Sequence, residues 1–180
     1  NHNLDGRARA MLYQVAFGTG FRVAEIRSLR KNSFNLAANP PTVTVEAAYS
    51  KNRRRTAQPI RRDLAKLLET WLRSFDAKSL PFGEIPGNAT RMIRTDMAYV
   101  RRNWIRLATS PMEAAEREAS DFLRYQDSNG LFADFHATRH TYITDIVASG
   151  ASVKVAQELA RHSTPQLTIG RYAHTNGEEL

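Results

Sequence analysis

Six side chains spread along this chain have the chemistry needed to hold a phosphodiester and attack it with a phenol. They are Arg22, Lys51, His136, Arg139, His162 and Tyr172. Two guanidinium groups can clamp the non-bridging oxygens of one phosphate, and a lysine or histidine can give a proton to the departing oxygen. A tyrosine hydroxyl can act as a covalent nucleophile. The set therefore predicts phosphoryl transfer on DNA without a metal ion.

The composition favours an extended polyanion as the partner. The 180 residues include 26 Lys and Arg against 18 Asp and Glu, which gives a formal net charge of +8. This surplus suits DNA better than an acidic small molecule, although charge alone does not identify a DNA-binding protein. The chain has no cysteine, which excludes disulfides, thiolate nucleophiles and cysteine zinc sites and suits a reducing compartment.

Length and hydropathy predict one ordinary domain. A hydrophobic content of 42% over 180 residues is enough for a real core. No apolar run approaches the roughly 20 residues of a membrane span, and no secretory leader is visible. We therefore expect a soluble cytoplasmic protein that associates with DNA and with no membrane. Because the chain opens at Asn1 without a Met and runs straight into helical sequence, we also expect a fragment of a longer protein.

The elements that position the six side chains begin with two helices. Apolar residues at helical spacing predict a first helix from Leu4 to Phe17, which Gly18 and Gly20 should end. A second helix is expected over about Val23 to Leu29, with Arg22 at its start. The glycine-bearing turn between the helices can present the Arg22 side chain outward.

A β-hairpin is expected next. Thr42 to Ala47 has the composition of a strand, Ser50 to Arg55 forms the turn, and Thr56 to Ile60 forms the return strand. Lys51 then lies at or near the tip. The basic residues beside it are candidates for contact with the DNA backbone: Arg53, Arg54 and Arg55. The same basic run can also be a merely solvated tip, which leaves the catalytic part of Lys51 open.

The rest of the chain is predicted to be mostly helical. Asp63 is expected to cap a helix that runs to Leu72. A long helix then carries an apolar stripe that should be core, formed by Ile93, Met97, Val100, Trp104 and Leu107. A short acidic helix is expected over 111–120, and a second hairpin around Asn129-Gly130 over 121–134. Three helical pieces complete the prediction, at about 137–149, 152–160 and 165–171.

Four blocks of sequence occur in an order that matches a known family. They are Gly18-Thr19-Gly20-Phe21-Arg22-Val23-Ala24-Glu25-Ile26, Phe135-His136-Ala137-Thr138-Arg139-His140, Leu159-Ala160-Arg161-His162-Ser163 and Arg171-Tyr172-Ala173-His174. In these blocks the chain resembles the tyrosine recombinase (phage integrase) family. The resemblance covers the chain from about Leu4 to His174.

The resemblance implies a fold, an activity and partners. The fold is a mostly helical α+β catalytic domain with a small antiparallel sheet, here over residues 1–180, without the helical core-binding domain that commonly precedes it. The activity is site-specific cleavage and religation of double-stranded DNA through a 3′-phosphotyrosine intermediate. Self-association in a recombination synapse is implied. No cofactor is expected, because one phosphodiester is exchanged for an ester of similar energy and no Gly-x-x-x-x-Gly-Lys loop is present.

The resemblance also implies a role for each side chain. Arg22 and Arg139 would bind the non-bridging oxygens, and His162 would donate a further hydrogen bond. His136 would orient or deprotonate the nucleophile Tyr172. The general acid would be Lys51, and the acidic residue that supports the first arginine would be Glu25.

Two departures from the family pattern lie close together. Ten positions separate His162 from Tyr172, one more than the commonest form has. Arg161 stands where a glycine usually precedes the histidine. The extra residue can shift the attacking hydroxyl by a helical step, which bears on how Tyr172 is delivered.

Other interpretations stay open at this point. His140 competes with His136, and His174 with His162, for the same role. A type IB topoisomerase shares this chemistry, and a non-catalytic DNA-binding regulator could use the basic surface alone. The regulator has no need of a tyrosine beside two spaced arginines and two histidines, which favours the enzyme.

Overall fold

The structure is a computed structural model that describes residues 4–50, 53–162 and 164–170. The helices are α1 (Gly6–Thr19), α2 (Val23–Ser28), α3 (Arg62–Leu72), α4 (Ala89–Arg106), α5 (Pro111–Ala119), α6 (Ala137–Ala148) and α7 (Val153–Ala160). Residues 166–170 are also helical. The strands β1 (Phe34–Asn35), β2 (Thr42–Val45) and β3 (Thr56–Pro59) form an antiparallel sheet in that order. The mostly helical α+β class with a small antiparallel sheet is confirmed.

The chain divides into two compact units. Among the described residues, the larger unit contains residues 4–85 and 138–170, and the smaller unit contains residues 86–137. None of the helices in these described parts combines the length and the apolar content that crossing a bilayer requires.

The core of the larger unit follows from the alternation of β2 and the periodicity of its helices. Val43 and Val45 point inward and are fully buried, and β3 pairs with β2 so that Gln58 lies opposite Val43. The helices add fully or almost fully buried side chains, which are Leu12, Val15, Ala16, Ile26, Leu68, Ile143, Ala156 and Ala160. The hairpin predicted from its β-branched residues is present, with one further short strand, β1, that the pattern did not predict.

A tight turn joins α1 to α2. Gly20 ends α1 in the left-handed conformation, with φ of 60°, and its N–H donates to the Ala16 carbonyl. A Cβ atom at this position would lie less than 3.0 Å from the ring of Tyr142 on α6. The Thr19 hydroxyl donates to the Val15 carbonyl at 2.6 Å and accepts from the Phe21 N–H at 3.2 Å. The turn therefore needs glycine both for its backbone and for its packing.

The smaller unit is held by arginine side chains. The Arg101 guanidinium of α4 donates to carbonyls at and after the end of α5, where the free carbonyl groups of a helix need donors. Arg117 of α5 lies over the Trp104 ring at 5.1 Å, and that ring packs against Phe122. Cation–π and carbonyl contacts thus replace part of an apolar core in this unit.

Three details of the predicted elements are wrong. Asp63 is not the cap of α3, because the helix already begins at Arg62 and the Asp63 carboxylate pairs with the Arg61 side chain. The stripe on α4 is not core along its length, since Val100 is 48% and Leu107 is 67% exposed. The second hairpin is reduced to one bridge, Gln126 with Phe132, because the exposed residues around it offer no buried face for longer strands.

Gly20→Ala should lower the free energy of unfolding by at least about 2 kcal/mol. The left-handed backbone costs about 1–2 kcal/mol for a residue with a Cβ atom, and the clash with Tyr142 adds to it. Urea denaturation followed by circular dichroism measures the change. Gly6→Ala is the matched control, because nothing lies near its Cβ position and alanine favours a helix. Equal stability of the two variants would contradict this account of the turn.

Candidate active site

Four of the six side chains predicted from the sequence lie among the described residues, and these four are divided between the two units. Arg22, Arg139 and His162 belong to the larger unit, where the fold brings their segments together. His136 belongs to the smaller unit and is exposed immediately before α6. Lys51 and Tyr172 lie outside the described residues.

Arg22 stands at the start of α2, directly after the glycine turn. Its backbone N–H donates to Oε2 of Glu25 at 2.7 Å, so the Glu25 side chain satisfies a backbone donor at the start of the helix. Its guanidinium reaches the same carboxylate only loosely, with 3.5 Å between Nη1 and Oε1. About one third of the Arg22 side chain is exposed, in contrast to the buried Glu25 beside it.

Glu25 is a buried carboxylate with a close partner from a distant segment. Its side chain is 1% exposed. Arg161, at the end of α7, donates from Nη1 to Oε1 at 3.0 Å and from Nη2 to Oε2 at 2.8 Å. The fork geometry of this pair supplies the two hydrogen bonds that a buried carboxylate needs to stay ionised.

Arg139 is buried beside this pair. Its side chain on α6 donates from Nη1 to the Gly20 carbonyl at 2.7 Å and from Nη2 to the Ala160 carbonyl. The residue is 3% exposed, so the guanidinium ties the glycine turn to the end of α7. Burial first, then the positive charges of Arg22 and Arg161, lower the pKa of Arg139 to about 10. The two predicted arginines are therefore close enough to repel each other.

His162 has a buried partner that the sequence did not suggest. Its Nδ1 lies 3.0 Å from Oγ1 of Thr168, which is fully buried. The carbonyl of His162 accepts from the Gln157 side chain at 3.3 Å. A hydrogen bond at Nδ1 decides which ring nitrogen is left to act on a ligand.

Gln58 of β3 supports the glycine turn from the sheet. Its Nε2 donates to the Thr19 carbonyl at 2.6 Å and to the Tyr142 hydroxyl at 2.8 Å. Burial raises the pKa of Tyr142, so its phenol stays neutral. This contact links the sheet, the turn and α6 behind the arginine cluster.

The candidate DNA-contacting residues lie on the surface. Three exposed arginines directly precede β3: Arg53, Arg54 and Arg55. The Arg55 Nε lies 3.2 Å from Oε1 of Glu46, the residue that follows β2. Within the described parts of the chain, His, Asp and Glu side chains form no group of three or more that could hold a metal ion.

Sequence reasoning missed Arg161, Thr168 and Gln58 as site residues. A signal existed only for Arg161, which replaces a glycine expected from the family pattern. The structure explains the glycine preference, because residue 161 has φ of 54° and ψ of 40° in the left-handed region. Gln58 is placed by contacts with residues far from it in the sequence, and Thr168, six residues after His162, belongs to no motif that indicates its contact with the imidazole.

The stability of the domain should depend on the ionisation of Glu25. Burial raises the pKa of this carboxyl, but the hydrogen bonds and charge of Arg161, with smaller effects of Arg22, leave it below its ordinary value of 4.5. A lowered pKa stabilises the fold above pH 4.5, and this contribution is lost as pH falls through the folded value. Glu25→Gln should cost about 3–5 kcal/mol at neutral pH, with the difference from the wild type shrinking in acid.

Denaturant titrations at a series of pH values measure this effect. Asp63→Asn is the control, because its carboxylate also has a lowered pKa, held by Arg61, but lies on the surface. A difference between Glu25→Gln and the wild type that stays constant into acid would contradict the assignment.

Comparison with known proteins gives the relatives of this chain. The chain is 25% identical over 178 residues to the tyrosine recombinase XerC of Bifidobacterium longum subsp. infantis, covering 98% of this chain and 46% of the relative. A XerC from Bifidobacterium longum strain DJO10A matches equally. The chain thus spans about half the length of these curated relatives.

Solved structures share the fold at low identity. The XerH site-specific recombinase, bound to a palindromic difH substrate in a post-cleavage complex, matches 98% of this chain and 46% of its own, with a TM-score of 0.62 and 15% identity. The catalytic domain of bacteriophage HP1 integrase matches 96% of this chain and 77% of its own, with a TM-score of 0.53 and 18% identity. The sequence model of the phage integrase family matches residues 1–179, and the chain belongs to that family.

Proposed function

We propose that this domain cleaves and religates double-stranded DNA at specific sites through a 3′-phosphotyrosine intermediate, with Tyr172 as the nucleophile. The observation that carries the proposal is the cluster of Arg22, Arg139 and Arg161 around the single carboxylate of Glu25. Three guanidinium groups and one carboxylate leave a surplus of positive charge. A phosphate that enters beside Arg22 would neutralise that surplus.

The electrostatics of the cluster favour a phosphate ligand. Burial and, after it, the positive charges of Arg22 and Arg161 lower the pKa of Arg139, so the fold holds these positive charges together at a cost. Donors fixed in advance by the fold stabilise charge that develops on a phosphoryl group without reorganising during the reaction. The partly exposed Arg22 would make direct contact, while Arg139 would contribute mainly through its field and its remaining N–H groups.

The other proposed roles divide the proton transfers. Lys51 would protonate the leaving 5′-oxygen, and His136 would orient or deprotonate Tyr172. The reaction would break the phosphorus–O5′ bond as the tyrosine oxygen bonds to phosphorus, with religation as the reverse step on another strand. His162 would donate a hydrogen bond from Nε2 to a non-bridging oxygen.

The relatives support this reading of the site. XerH binds difH DNA in its solved complex, and the Tn1549 transposon integrase was solved with a circular intermediate DNA. By analogy with these proteins, we propose that this chain acts on double-stranded DNA and that it self-associates in a synapse. Residues 1–180 would form the catalytic part of a longer recombinase or integrase. A DNA substrate would place the protein in the cytoplasm, associated with DNA.

The first test is formation of a covalent adduct. The whole chain is incubated in EDTA with a pool of nicked duplexes of randomised sequence, and bound protein is separated under denaturing conditions. The wild type should give a protein–DNA adduct, and Tyr172→Phe should give none, because the phenyl ring lacks the nucleophilic oxygen. A folded wild-type protein that gives no adduct, or an adduct that persists in Tyr172→Phe, would refute the proposal.

The second test concerns the tautomer of His162. If the Thr168 hydroxyl donates to Nδ1, the ring keeps its proton on Nε2, where it can donate to the phosphate. Thr168→Val should slow adduct formation about 10-fold to 100-fold, approaching the cost of losing one phosphate donor. Thr168→Ser keeps the hydroxyl and should recover most of the rate. Equal rates for the Val and Ser variants would show that the hydroxyl has no such part.

A further inference from the structure

The end of α7 carries an arginine in a backbone conformation that favours glycine. Arg161 has φ of 54° and ψ of 40°, and its N–H and that of His162 close the helix on the Glu158 and Gln157 carbonyls. A side chain at a left-handed helix end costs free energy that glycine avoids. The helix end itself therefore gives no reason for arginine, and the reason lies in the contacts of the side chain.

The Arg161 side chain is fixed on two sides. Its guanidinium lies over the ring of Phe21 at 4.5 Å, and Phe21 is fully buried. The other side holds Glu25 through two hydrogen bonds, and the side chain is 9% exposed. Its Nε is buried without a partner among the described residues. The guanidinium is thus oriented so that both Nη atoms donate to Glu25, while Nε has no hydrogen-bond acceptor among the described residues.

Two arginines compete for the Glu25 carboxylate. Arg161 occupies both oxygens in the fork, and the Arg22 N–H takes a further position on Oε2. The Arg22 guanidinium contacts the carboxylate only through Nη1, which lies 3.5 Å from Oε1 of Glu25. Without Arg161, the nearest cation able to neutralise this buried carboxylate would be Arg22 itself, since Arg139 is tied to the Gly20 and Ala160 carbonyls.

We propose that Arg161 is a positioning residue that holds the Glu25 carboxylate so that the Arg22 guanidinium stays available to a DNA phosphate. The inference rests on the proposed strand cleavage, which it deepens. Arg161 acts through Glu25 and contacts no substrate. Its second effect is to add one positive charge to the cluster, which strengthens the field at Arg22.

The test separates this role from a structural one by rescue. Arg161→Gly removes the fork and suits the left-handed backbone, and its thermal stability is compared with that of the wild type before rates are measured. Glu25 should then capture Arg22, and the maximal rate of adduct formation on the nicked duplex pool should fall roughly 10-fold to 100-fold. The DNA concentration for half the maximal rate should change little, because other phosphate contacts hold the duplex. The double variant Arg161→Gly with Glu25→Gln should recover much of the rate, because a neutral amide does not capture Arg22.

Two controls sharpen the comparison. Arg73→Gln removes one exposed positive charge from the same unit and should leave the rate unchanged. Arg161→Lys keeps the positive charge but cannot form the fork, so its rate of adduct formation should lie between those of the wild type and Arg161→Gly. A wild-type rate in Arg161→Gly, or a double variant as slow as Arg161→Gly at equal thermal stability, would overturn the inference.

A measurement without DNA separates failure of this inference from failure of the proposed function. Arginine side-chain NMR reports rotation about the Nε–Cζ bond, which slows when a carboxylate holds the guanidinium in a fork. In Arg161→Gly the Arg22 signal should show slowed rotation, and in the double variant it should not. If the wild type gives no adduct, the proposed function fails, but the spectrum still shows whether Glu25 binds the Arg22 guanidinium when Arg161 is absent. An Arg22 signal unchanged by Arg161→Gly would overturn the inference.

Discussion

The buried charge of Glu25 is the constraint on which the arrangement of the larger unit depends. An ionised carboxylate removed from water must find close cationic partners, because its desolvation otherwise costs several kcal/mol. Here those partners are Arg22, directly before α2, and Arg161, directly after α7, which are far apart in the sequence. Satisfying one carboxylate therefore fixes two segments against each other. Arg139 adds the third connection, from α6 to the glycine turn.

The same constraint shapes the chemistry that the cluster can perform. Arg161 takes both oxygens of the carboxylate, which leaves Arg22 loosely held and partly exposed, while Arg139 is buried and donates to two backbone carbonyls. The three guanidinium groups thus differ in their surroundings although they lie together. Arg22 is partly exposed, Arg161 pairs with the carboxylate, and Arg139 bonds the backbone carbonyls of two segments. A set of equivalent clamps would need all of them at the surface.

Local patterns predicted the helices and the hairpin because these depend on neighbouring residues. The glycine turn before Arg22 and the strands around 42–59 appear where periodicity and β-branched residues indicated. The predictions failed where burial depends on what packs against an element. The stripe on α4 has helical spacing, yet Val100 and Leu107 are exposed, and the capping residue of α3 shifted to Arg61.

The sequence by itself determined the family, the helical α+β class and the candidate residues, because motif order and local periodicity are written along the chain. Only the tertiary structure decided which arginine is partly exposed, which one pairs with Glu25 and which one is buried against the backbone. The hydrogen bonds of the buried Arg139 and the fork between Arg161 and Glu25 join segments that lie far apart in the sequence. Such contacts arise from packing and from the need to neutralise buried charge, and the spacing of neighbouring residues along the sequence indicates neither of these.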